Sequence, residues 1–249
     1  MAAATPQYAN IADALKREGL SARGGFTTGS ADAETEHAQF PDGSGRIART
    51  IIMVGVLGRQ LWPALQADPD FMAGWKRGDV NPLDDWSERV IGSLAAQWNA
   101  GAVFPNDQPY RPFQRWAQRA ETLFPSPIGM LIHPEFGLWH AYRGALLFED
   151  ALDLPARPEQ PSPCETCADK PCLSACPVNA FTETHDPMKR YDVAACAGHL
   201  ATEEGQSCLT GGCAARDACP VGREHRYEPD QMRFHMAAFA RARGVEVAS

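Results

Sequence analysis

Residues 164–180 read CETCADKPCLSACPVNA, and residues 196–220 read CAGHLATEEGQSCLTGGCAARDACP. Every cysteine of the 249-residue chain lies in these two stretches: Cys164, Cys167, Cys172, Cys176, Cys196, Cys208, Cys213 and Cys219. The first run is spaced Cx2Cx4C and followed by x3-Cys-Pro; the second is Cx11Cx4Cx5-Cys-Pro. Residues 1–163 contain no cysteine, so the crowding asks for a chemical reason.

The first run is close to the bacterial ferredoxin pattern Cx2Cx2Cx3CP. A cubane cluster needs four thiolates from a chain that doubles back. Closely spaced cysteines put three sulfurs on one side, and a more distant segment supplies the fourth. The proline after it turns the chain away. Where a chain carries two clusters, the fourth cysteine of each run serves the other cluster. That logic groups Cys164, Cys167 and Cys172 with Cys219, and Cys196, Cys208 and Cys213 with Cys176.

Three other readings use the same residues. An even cysteine count suits disulfides, but those belong to secreted chains. Two structural zinc sites, each of four cysteines, need the same thiolates at similar spacing. A third reading keeps one cluster, on the first run, with the irregular second set degenerate. The double Cys-Pro ending favours iron–sulfur over zinc.

The rest of the composition narrows the class. Hydrophobic residues make up 44% and charged residues 22%, ordinary for a soluble globular chain. The N-terminal stretch lacks the basic-then-apolar layout of a secretion leader, and no apolar run is long enough for a membrane span. The expectation is a cytoplasmic protein without a membrane partner. The formal charge is −8, and each [4Fe-4S]2+ core on four thiolates would add about two negative charges. That balance argues against a nucleic-acid partner.

Taken in order, Tyr8, Ile11, Ala12 and Leu15 recur at helical spacing, with Gly19 as a stop. Phe26-Thr27-Thr28 is expected to open a strand, and residues 42–45 to turn. Residues 51–57 form a continuous apolar run, the mark of a strand buried on both faces. Asn81-Pro82 followed by Asp84 and Asp85 starts a helix whose apolar face carries Leu83, Trp86, Val90, Ile91, Leu94 and Trp98. A strand at 102–104, a helix over 113–123 and strands at 128–132 and 145–148 follow. The spacing of the tryptophans fits core better than a cofactor wall. Residues 154–163 carry Pro155, Pro158, Pro161 and Pro163, which reads as a stiff connector. A helix from Pro229 to Arg243 ends the chain, in its most basic part.

Residues 132–147, IHPEFGLWHAYRGALL, resemble the IHPxFGxWxAxRGxxLL signature of CblC-type cobalamin-processing proteins. The cysteine region is similar to the ferredoxin portion of epoxyqueuosine reductases, which share a nitroreductase-like corrinoid-binding fold with CblC proteins and reductive dehalogenases. Both runs carry insertions relative to that portion. CblC proteins generally lack such a domain and take electrons from flavin or thiols.

The resemblance implies an α+β chain: a nitroreductase-like α/β sandwich over residues 1–153, a linker over 154–163, and a ferredoxin-like two-[4Fe-4S] domain over 164–249. It implies a cobalamin held near His133, Phe136, Trp139, Tyr142 and Arg143, with flavin as another candidate for the pocket. The reading from the residues alone leaves His133 a hydrogen-bonded structural histidine and Arg143 an ion-pair partner as alternatives. The expected activity is a corrinoid oxidoreductase fed by an external low-potential donor, a ferredoxin or flavoprotein. The alternatives are a cobalamin-dependent reductase of an organic molecule, and an electron carrier without a corrinoid.

Overall fold

The computed structural model describes residues 6–33, 36–184, 186 and 189–246. Residues 1–5, part of the stretch read above for a leader, lie outside these. The strands are β1 (Ser21–Thr27), β2 (Thr50–Leu57), β3 (Gly101–Val103), β4 (Phe124–Pro125), β5 (Leu131–Ile132) and β6 (His140–Phe148). One sheet has the order β1-β2-β6-β3; β4 and β5 pair antiparallel by themselves. The helices are α1 (Tyr8–Arg17), α2 (Ser30–Ala33), α3 (Trp62–Ala67), α4 (Pro69–Arg77), α5 (Pro82–Gln97), α6 (Phe113–Ala120), α7 (Pro171–Ser174), α8 (Val193–Leu200), α9 (Gln206–Gly211), α10 (Ala214–Asp217) and α11 (Pro229–Ala242). No helix among the described residues is long and apolar enough to cross a membrane.

The chain divides into two compact units, and the division is interleaved. The first gathers residues up to Thr122 with Ala141–Glu159; the second gathers Leu123–His140 with the residues from Gln160 onward. Residues 123–140 make their contacts with the cysteine half.

In the first unit β2 is buried from Thr50 to Val56, as a strand covered on both faces must be. Helices α1 and α6 pack on β1, and α5 packs on β3. They contribute Ile11, Leu15, Trp86, Ile91 and Trp116 to the core, each worth about 1.5–3 kcal/mol when buried. Trp86 and Trp116 are core residues, at 4% and 2% exposure.

Three segments depart from the sequence reading. Phe26 and Thr27 close β1 rather than open it. The strand's first half hides behind Arg23, which is buried inside the sheet. Its guanidinium donates to the Val56 carbonyl (2.9 Å) and pairs with Glu121 (2.5 Å). At Gly24 φ is +69°, and an added Cβ would lie 2.2 Å from the Ala120 carbonyl oxygen. Residues 128–132 are mostly turn. Ser126 N–H donates to Met130 O, Gly129 N–H donates to Ser126 O, and strand geometry is left only at Leu131–Ile132. Strand β6 begins at His140, earlier than its apolar end suggests, because its first four residues are only half-buried.

Candidate metal centre

The second unit has little sheet, and its cysteines sit on short helices and the loops between them. Lys170, with φ +39°, leads into α7, which carries Cys172. Asp192 caps α8 by accepting the Ala195 N–H (2.9 Å), fixing the helix that carries Cys196. Helix α9 carries Cys208, Cys213 stands at the N-terminus of α10, and Cys219 follows α10. All eight are free thiols.

The eight line two separate cavities. Cys164, Cys167, Cys172 and Cys219 line one, with Ser126, Ile132, Leu138 and Val221. Cys176, Cys196, Cys208 and Cys213 line the other, with Phe181, His199, Leu200 and Met236. Each set takes its odd member from the other run. The free volumes are small, about 20 and 30 Å³, but a cluster bonded to sulfur sits inside the contact radius of those sulfurs. Fit is therefore set by how the sulfurs are spread. Among the described residues no three His, Cys, Asp or Glu side chains gather into a group that could hold a metal ion. A four-thiolate zinc site needs Zn–S near 2.3 Å, hence sulfurs about 4 Å apart. A cubane gives each thiolate its own iron and so holds the sulfurs farther apart.

Electrostatics agree with the grouping. Burial pushes the Cys164 thiol up to about 11, and the nearby Cys219, Cys172 and Cys167 add to the shift. Burial also raises Cys172, Cys208, Cys213 and Cys219. Four thiolates around one cavity repel one another unless a cation joins them, and metal binding would release their protons. Several donors already point at sulfur. The Ala180 N–H reaches the Cys176 sulfur (3.4 Å), and the Ala215 and Arg216 N–H groups hydrogen-bond that of Cys213. The Tyr191 ring stacks on Phe181, centroids 4.7 Å apart, while burial and a hydrogen bond with Cys196 push its hydroxyl up.

The first set also borders an open groove of about 750 Å³. Phe124, Ser126, Cys164, Cys167, Lys170 and Arg190 line it. Lys170 pairs with Glu183 (2.6 Å), and Arg190 donates to the Thr184 carbonyl (3.1 Å).

The five residues expected around a corrinoid fall in both units. His133, Phe136 and Trp139 belong to the cysteine unit; Tyr142 and Arg143 belong to the sheet unit. His133 and Gly137 exchange backbone hydrogen bonds, closing a tight turn, and His133 Nδ1 accepts the N–H of Glu135 (3.0 Å) and Phe136 (3.2 Å). Gly137 has φ +57°, and a Cβ there would lie 2.1 Å from the Val221 carbonyl oxygen. The turn thus rests backbone to backbone on the segment leaving Cys219-Pro220. The Phe136 ring meets His225 at 4.4 Å. Trp139 is 1% exposed, against Tyr227 and beneath the Arg216 guanidinium (4.3 Å), which also donates to the Leu138 carbonyl. In the other unit Tyr142 donates to Glu121, and Arg143 lies 3.5 Å from Asp84. Sequence reasoning missed Arg216 and Tyr227; a lone arginine between Cys213 and Cys219 was the available signal.

No protein-family model matches the chain, and no curated protein matches it in sequence. Among solved structures, the B12-trafficking protein CblC of C. elegans matches at TM-score 0.50 and 15% identity, over 92% of each chain. The fold is similar to that of CblC. Epoxyqueuosine reductase from Streptococcus thermophilus matches at TM-score 0.48 and 16% identity, over 90% of this chain and 69% of that one. An epoxyqueuosine reductase solved with a modified tRNA-Tyr stem loop matches at TM-score 0.45 and 14% identity, over 89% and 67%. The likeness to CblC is one of fold, covering a mixed α/β chain with the sheet and helices described above.

Proposed function

We propose that this chain is an iron–sulfur oxidoreductase that holds two [4Fe-4S] clusters and delivers single electrons to a bound corrinoid, reducing cobalt and releasing its upper ligand. The observation that carries the reading is the sorting of eight cysteines, four and four, around two separate cavities. Cys164, Cys167, Cys172 and Cys219 would hold one cluster; Cys176, Cys196, Cys208 and Cys213 would hold the other. When bound, such clusters supply one-electron chemistry at potentials from approximately −700 to +450 mV. The chain's part is to hold sulfur, to aim N–H and O–H donors at it, and to exclude water with Ile132, Leu138, Phe181 and Leu200. The corrinoid half is supported by likeness to the fold of a B12-trafficking protein. His133, Phe136 and Trp139, in the cysteine unit, are its proposed surroundings, and a ferredoxin or flavoprotein its electron source.

The test is anaerobic purification with iron and sulfide assay, then titration with cob(III)alamin under a low-potential reductant. The expected result is about eight irons and eight sulfides per chain, with spectral change at cobalt. Stoichiometric zinc without sulfide overturns the proposal. A second reading, in which the corrinoid is the tool and an organic molecule is reduced, draws on the groove beside Cys164 and Cys167. Its volume, about 750 Å³, is in the range of small-molecule sites. Turnover with substoichiometric cobalamin would select it.

A further inference from the structure

Each sulfur-lined cavity carries one buried polar atom that has no hydrogen-bond partner among the described residues. At the first cavity it is Ser126 Oγ, on a residue only 4% exposed. At the second it is His199 Nε2. Cysteines aside, the linings are otherwise apolar. The first adds only Lys170, whose ammonium is held by Glu183, and the second has no other polar side chain. A buried donor left unmet costs about 1–3 kcal/mol. Neither atom finds a hydrogen-bond partner among the described residues, and each shares its cavity with four cysteine sulfurs.

We propose that Ser126 and His199 are hydrogen-bond donors to the two clusters, one to each, and that they raise the two reduction potentials independently. The inference rests on the two-cluster reading. Its physics is that reduction adds a negative charge to cluster and thiolates, and a donor aimed at sulfur stabilises the more negative state. Ser126 comes from the β4–β5 turn and His199 from α8, three residues after Cys196, so the two potentials are set by separate elements. Both act through hydrogen bonds to the cluster environment and hold no iron themselves.

The experiment is a redox titration of the full chain, purified anaerobically and followed by electron paramagnetic resonance. Ser126→Ala is expected to lower one one-electron wave and leave the other in place. The shift expected is about a tenfold fall in the ratio of reduced to oxidised cluster at fixed potential, 59 mV for one electron. Ser126→Thr, which keeps the hydroxyl, restores it. His199→Leu lowers the other wave, and His199→Gln, which keeps an N–H, recovers part of the shift. A measurement free of variants covers any that fail to load iron. In the reduced wild-type protein labelled with 15N-histidine, pulsed resonance is expected to show coupling to a histidine nitrogen, and an exchangeable proton coupled to a cluster is expected to vanish in D2O. Fully loaded variants whose waves do not move, or both variants moving the same wave, overturn the inference while the cluster reading stands. Wild-type protein without iron and sulfide overturns the reading itself.

Discussion

The two units make their cores from different material. The sheet unit buries an uninterrupted apolar strand, β2, under aromatic and aliphatic helical faces, and its one deep charge, Arg23, is matched by Glu121. The cysteine unit packs Ile128, Ile132 and Leu138 together with Cys172 and Cys219 themselves. A second small cluster of Leu200, Leu209 and Ala240 has Cys208 against it. Apolar burial, with that one ion pair, stabilises the first unit. In the second, the sulfurs occupy core positions, so whatever joins them completes the packing as well as the chemistry.

The sharpest way to break that contrast is Cys219→Ser. It should remove about half of the iron and sulfide and expose the cysteine unit to protease while the sheet unit stays resistant; limited proteolysis with mass spectrometry reads both. Arg23→Met should do the reverse. It removes the charged donor to Glu121, a partly buried carboxylate that keeps the Tyr142 hydroxyl, at about 1.5–3 kcal/mol, seen as a lowered urea midpoint for the sheet unit with iron content unchanged. Gly137→Ala should cost about 2–3 kcal/mol through its left-handed backbone and the clash with Val221. The loss should fall on the cysteine unit, in a thermal melt that resolves two transitions.

The smallest effect is a pH dependence. Burial raises the Cys164 thiol from the ordinary 9.0 to about 11 in the folded chain, so folding favours the protonated form. That stabilisation is complete below about pH 9 and is lost as pH rises towards 11. Iron-free, reduced protein should therefore weaken over that window in urea titrations. Protein loaded with iron should not, since its thiols have already given up their protons.

Much of this contrast was legible in the chain. The apolar run at 51–57 fixed a strand buried on both faces, and Asn81-Pro82 with two acids fixed the start of α5. The cysteines line two cavities, four to each. Elements went unread where polar residues do structural work. Strand β1 is held by the Arg23–Glu121 pair and a glycine bulge rather than by alternation of apolar residues. Helix α4 starts at Asp68-Pro69, where Asp68 accepts the Phe71 N–H (2.9 Å), a cap signal available in the sequence but not taken up. Ser126 and His199 gave no signal at all. A serine between two prolines and a histidine late in a helix become notable only when folding places them in cysteine-lined cavities, their polar atoms unpartnered among the described residues.

The interleaving of the two units bears on how such a protein can be rearranged. Residues 123–140 leave the sheet half, supply Ile128, Ile132, Leu138 and Trp139 to the cysteine half, and return. The cysteine unit is therefore not a cassette that one cut could lift out and graft elsewhere. A donor fragment starting at the first cysteine would arrive without the tryptophan under Arg216 and without the turn that braces the exit from Cys219. Any transplant, natural or engineered, has to carry both pieces of chain.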